Sequence, residues 1–158
     1  MSEILVNTIK KADGTGSLTV PAETGTVLTS ASDITQNSGP AFSAYRDSSA
    51  QSISTSTWTK LEFQTEEFDT DNCYDNATNY RFTPNVAGYY QVSGGTRGDS
   101  GMTNYHISIW KNGSEAKRIG FEASGRGDYG SALIYLNGTT DYIELYGLHQ
   151  TGSSKNIA

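Results

Sequence analysis

From position 40 onward the chain alternates apolar and polar residues with a period of two, and no stretch of useful length shows a helical period. Positions 41–46 (Ala41-Phe42-Ser43-Ala44-Tyr45-Arg46) predict a first strand, and positions 58–63 a second, with Leu61 and Phe63 set against Lys60 and Glu62. Segment 66–79 is acidic and polar and predicts a surface excursion. Two strands, 80–83 and 89–96, flank Pro84-Asn85-Val86-Ala87-Gly88, where Pro cannot donate to a ladder and Gly permits a reversal. Along 104–110, Tyr105, Ile107 and Ile109 alternate with His106, Ser108 and Trp110. Asn112-Gly113 then signals a tight hairpin, because both residues accept positive φ, and Asn137-Gly138 repeats the signal. Strands are expected at 116–121, 131–136 and 142–148, with 132–136 a continuous apolar run that predicts burial on both faces. The Gly-rich stretches 97–103 and 124–128 read as loops at one end of the resulting stack. The pattern predicts an all-β, antiparallel fold.

Residues 1–39 have a different character. Ile4, Val6 and Thr8 alternate with Leu5, Asn7 and Ile9, which suggests a short strand, and 17–20 suggests another before Pro21. Segment 30–40 is small, polar and closed by Gly39-Pro40, as a linker is. So few apolar residues cannot support a core. We therefore expect an arm and linker over 1–39 that do not fold alone, ahead of a folded domain over 40–158.

Charge narrows the range of partners. The 158 residues carry 11 basic and 17 acidic side chains, a net charge of −6, with no basic run longer than Lys10-Lys11. Nucleic acid and anionic membranes both select for clustered Lys and Arg, so neither is expected to bind. No membrane-length apolar run occurs, and the opening Met1-Ser2-Glu3 lacks the basic start of a secretion signal, so synthesis in the cytoplasm is expected. An apolar fraction of only 35% is low for a monomer of this size, and burial between subunits would compensate.

No catalytic constellation is legible. His106 and His149 stand apart from any nucleophile motif, and the lone Cys73 can neither form an internal disulfide nor build a thiolate cluster, so no enzyme is expected. Asp69, Asp71 and Asp75 offer carboxylates at the short spacing of a Ca²⁺ loop, although the Gly and terminal Glu of the helix-flanked loop are missing. A solvated acidic loop is the competing reading, and no other cofactor is suggested. Arg-Gly-Asp occurs twice, at Arg97-Gly98-Asp99 and Arg126-Gly127-Asp128. In a turn this tripeptide projects a guanidinium and a carboxylate to opposite sides, so Arg97, Asp99, Arg126 and Asp128 are candidate binding residues, against the simpler reading of Gly-rich turns. Ten Tyr and two Trp supply the flat faces that bind sugars and that also fill subunit interfaces.

The order Phe82-Thr83-Pro84, Ala87-Gly88, Tyr89-Tyr90, preceded by Pro40-Ala41-Phe42-Ser43-Ala44 and Phe68-Asp69, resembles the globular heads of complement 1q and tumour necrosis factor. That resemblance spans 40–148 and implies a trimeric β jelly roll used for recognition. It also implies a last inner-sheet strand of the type Phe-Ser-Gly-Phe-Leu-Leu, which is absent after Lys155-Asn156-Ile157-Ala158. Three readings stand: the sequence stops short of that strand, the strand is dispensable, or another segment fills the gap beside 89–96, with 4–9, in cis or from a neighbouring subunit, as the candidate by strand addition. The opening Ile4-Leu5-Val6-Asn7-Thr8-Ile9 resembles the attachment segments of phage fibre proteins. Together they imply a virion protein, a homotrimeric capsid decoration or short fibre that binds capsid or tail through Ile4, Leu5, Val6 and Ile9 of its arm and touches host surface glycans with its tip. The alternative is a cellular adhesion or signalling ligand of the complement 1q/tumour necrosis factor type acting through Arg-Gly-Asp.

Overall fold

Period-two alternation becomes strand after strand, and the computed structural model, which describes residues 39–47 and 49–158, contains no helix among them. The expected strands at 4–9 and 17–20, the linker and the contact residues Ile4, Leu5, Val6 and Ile9 lie outside the described residues. The elements are β1 (Phe42–Tyr45), β2 (Gln51–Ile53), β3 (Thr59–Lys60), β4 (Thr65–Asp69), β5 (Tyr74–Asp75), β6 (Arg81–Phe82), β7 (Ala87–Lys111), β8 (Ser114–Asn137), β9 (Ile143–Leu148) and β10 (Lys155–Ile157). All of their pairings are antiparallel. One sheet runs β2-β10-β7-β9-β6-β5, with β3 on β9 and β8 on β7, and β1 and β4 pair separately. The protein is all-β, with curled antiparallel sheets as in a sandwich.

The backbone of the fold is the β7–β8 hairpin. Asn112 (φ 52°) and Gly113 (φ 79°) close it in the left-handed region, as Asn-Gly at a two-residue turn should. Pairing then runs without a break in chain direction from Lys111↔Ser114 back to Ala87↔Asn137. The expected loops at 97–103 and 124–128 are therefore not loops. They belong to these two strands and face each other, with one irregularity between Arg97 and Met102 where β7 bulges. Arg97, Met102 and Thr103 pair with β8, and residues 98–101 between them form the bulge and take no partner on β8.

Other expectations also need correction. Segment 66–79 lies at the surface over 66–68, 70–72 and 77–78, yet it forms most of β4 and all of β5 and delivers Cys73 and Tyr74 to the core, each 8% exposed. The run 132–136 is not buried on both faces, since Ile134 and Leu136 point inward while Leu133 (63% exposed) and Tyr135 (48%) point out. Strand alternation overrides apolar composition there. Asn137-Gly138 makes no hairpin, because β9 pairs with β7 and not with β8. Instead the Asn137 side-chain oxygen accepts from the backbone N–H groups of Thr139, Thr140 and Asp141 at 2.9–3.0 Å. That cap turns the chain across the sheet.

Two apolar clusters make the core. Cys73, Tyr74, Phe82, Ile109, Ile134, Leu136 and Ile143 form one, and Ile53, Leu61, Met102, Tyr105, Ile107 and Ile157 the other. Phe63, Ile119 and Leu145 pack against both, so the clusters are continuous.

Candidate interaction face

Alternation along the first half of β7 sends Tyr90 and Val92 into the core and leaves Tyr89, Gln91 and Ser93 on the outer side. Their ladder partners on β8 are Tyr135, Leu133 and Ser131, followed by Gly95 opposite Tyr129. Tyr89 (76% exposed) and Tyr135 meet edge to face at 5.3 Å. Tyr129 is 85% exposed. The outer side of this ladder is therefore a strip of aromatic and aliphatic surface on rigid backbone, with no cover among the described residues. Lys111 anchors its end, donating to the Tyr135 carbonyl at 2.8 Å and pairing with Asp141 at 2.7 Å.

Beyond Tyr129 the strip meets both Arg-Gly-Asp tripeptides. They are brought side by side, Arg97 opposite Gly127 and Thr96 opposite Asp128, in extended strand rather than at a turn tip. Much of the first copy holds the C-terminal strand. Arg97 and Ala158 exchange backbone bonds, and Asp99 accepts from the Asn156 N–H at 3.0 Å. In the second, one Asp128 oxygen accepts from the Tyr129 N–H at 2.8 Å, while the other is buried without a protein partner. The carboxylate lies over Gly120, where any Cβ would collide with it. Arg126 sits in β8 opposite the bulge.

The Ca²⁺ candidates do not converge. Asp69 accepts from the Tyr74 N–H at 2.7 Å and Asp75 from the N–H groups of Thr78 and Ala77 and the Asn79 amide, so each holds a local turn. Asp71 is exposed, and among the described residues no group of acidic, His or Cys side chains has the geometry to hold a metal. The three bonds to Asp75, the Thr78 N–H first, lower its carboxyl to about 2.

A second aromatic group escaped the sequence reading. On the outer side of β7's other half, Trp110 stacks on Tyr146 at 4.2 Å and meets Trp58 edge-on at 6.2 Å, and His106 stacks on Phe121 at 4.8 Å. Arg118 lies over the Trp58 ring. Burial and the Arg118 charge hold His106 below its ordinary range. The parity of 104–110 already put His106 and Trp110 on the side away from Ile107 and Ile109, which was the available signal. What it lacked was the partner strands. His149 is fully buried between the Ile53 carbonyl and the Thr151 hydroxyl and is a packing residue.

No protein-family model matches the chain, and no curated protein matches it.

Proposed function

We propose that this protein is a non-enzymatic virion structural protein, a homotrimeric capsid decoration or short fibre whose jelly roll projects from a particle that the arm 1–39 holds. The carrying observation is the bare strip of Tyr89, Leu133, Tyr135 and Tyr129, a rigid apolar strand face suited to burial against copies of itself. The jelly-roll reading is supported by the non-consecutive neighbours β2–β10 and β7–β9 and by a long hairpin that bends at its bulge. Attachment through Ile4, Leu5, Val6 and Ile9 rests on the sequence pattern alone. Host glycan contact, if the domain is a receptor-binding tip, would use the aromatic group at Trp58 and Trp110.

Arg97, Gly127 and Asp128 pair within the β7–β8 ladder, Gly98 meets β10 and Asp99 is engaged by β10, which disfavours the adhesion-ligand alternative. Sedimentation of the purified chain should give three times the 17.0 kDa mass. Leu133→Arg should yield a folded chain of monomer mass, since its side chain leaves the core untouched. A wild-type monomer with no affinity for capsid or tail proteins would sink the proposal. Deleting 1–30 and testing particle incorporation separates decoration from receptor binding.

A further inference from the structure

We propose that the outer side of β7 over His106, Ser108 and Trp110, closed by the Trp58 ring, is a binding site for an uncharged saccharide of about two linked pyranose rings. These three residues alternate with the buried Ile107 and Ile109 and face away from the core, yet Ser108 is 0% exposed. Two side chains from opposite margins close over it. Trp58 stands just before β3 and reaches across β9, its ring 6.4 Å from that of His106 and 6.2 Å from that of Trp110. Arg118 comes from β8 opposite Ser108, with its guanidinium 5.2 Å from the centre of the Trp58 ring. Beneath this cover the Ser108 hydroxyl has partners, the Glu115 carboxylate at 3.1 Å and the Lys117 carbonyl at 3.0 Å. His106 Nδ1 and Trp110 Nε1 have none among the described residues, although both atoms are buried. A buried polar atom without a partner costs free energy. Two of them beside one ring that belongs to no strand mark a cover over ligand-binding groups.

The chemistry of the row selects the ligand. Trp110 Nε1 can only donate, so it needs an acceptor such as a hydroxyl oxygen. The rings of Trp58 and Trp110 and the stack of His106 on Phe121 suit a body with flat C–H faces. A charged ligand finds no free counter-ion, because Arg118 is paired with Glu115 at 3.0 Å and Lys60 with Glu144 at 3.1 Å. Burial, then the Arg118 charge, holds His106 below its ordinary range, which keeps its ring neutral as well. His106 and Trp110 lie four residues apart on an extended strand, about 13 Å, so a single pyranose or nucleobase reaches only one of the two orphaned nitrogens. An extended β-linked disaccharide has flat faces, hydroxyls along both edges and the necessary reach. This names the ligand class for the glycan contact proposed above. It rests on that reading alone and needs neither the trimer nor the arm.

Titration of the full chain with cellobiose and with lactose, followed through the indole N–H signals in proton–nitrogen correlation spectra, tests the site. The chain has two Trp, so Trp58→Phe assigns both signals. In the free chain the Trp110 signal should have the position of an unbonded indole, and either disaccharide should move it saturably to the bonded position. Methyl β-glucoside, with one ring, should bind more weakly, and adenosine, flat and neutral, should leave the signal in place. Trp110→Phe and His106→Phe keep an aromatic ring in each stack and remove the orphaned nitrogen. Each should weaken cellobiose binding about tenfold by calorimetry, with the amide spectrum of the core preserved. Cellobiose binding that survives both substitutions would leave glycan contact standing and overturn this placement. Binding of neither disaccharide would overturn both. A bonded Trp110 position before any sugar is added would mean that another part of the chain fills the site, and an equal shift with adenosine that the face takes any flat ring; either result overturns the proposal.

Discussion

Several of the described glycines mark backbone packed on backbone rather than a turn. A Cβ on Gly127 would overlap the Thr96 carbonyl, and one on Gly130 the Ile119 carbonyl. Local sequence cannot distinguish this use from turn chemistry, because the clash is with a residue remote in sequence. Asn112-Gly113 was legible for the opposite reason, since its requirement for positive φ is local. Gly130→Ala should therefore destabilise the fold by about 2 kcal/mol or more, read as a lowered midpoint in urea with an unchanged slope. Asp75 makes a different prediction. Its folded carboxyl is depressed to about 2, so its contribution is complete above the ordinary carboxylate range and is lost as pH falls through about 2. Asp75→Asn should lower the melting temperature at neutral pH, and its difference from wild type should shrink between pH about 4 and about 2. A difference independent of pH would mean that the carboxylate charge is not what the turn uses.

At the scale of elements, period two found strand type and the inward parity of 104–110, but not continuity. Positions 97–103 and 124–128 look like two loops because each is rich in Gly, Ser and Asp, and their mutual pairing is a long-range fact. The continuous run 132–136 misleads for a related reason: an apolar run does not reveal whether a second sheet covers its outer side. The short β10 shows how much a small element can carry. Ile157 is 1% exposed and packs with Ile53, Leu61, Met102, Tyr105 and Ile107. Met102 itself lies beneath Gly98, where a Cβ would collide with its sulfur, so strand end and bulge are packed together. Ile157→Ala should cost about 2–4 kcal/mol, measurable by denaturant titration, and should speed amide exchange at Arg97, whose N–H bonds Ala158. Wild-type stability in that variant would mean that β10 is only loosely docked.

For the whole molecule, thin composition and exposed surface belong to one problem. A chain with 35% apolar residues leaves Tyr89, Tyr129, Leu133 and Tyr135 in solvent on one strand face, so apolar area that could have thickened the core lies outside it. Such a face gains stability only by association, at about 25 cal/mol per Å² of apolar area removed from water, less the entropy of assembly. Association of folded copies couples to unfolding by mass action, which makes the melting temperature depend on concentration. The wild-type chain should melt several degrees higher at a hundredfold higher concentration. Leu133→Arg should melt at one temperature throughout, close to that of the dilute wild type, because residue 133 makes no core contact. The net charge of −6 opposes close approach of copies, so added salt should raise the wild-type value and leave the variant's little changed. A wild-type melting temperature independent of both concentration and salt would leave the exposed strip without a self-association role and would favour a different protein as its partner.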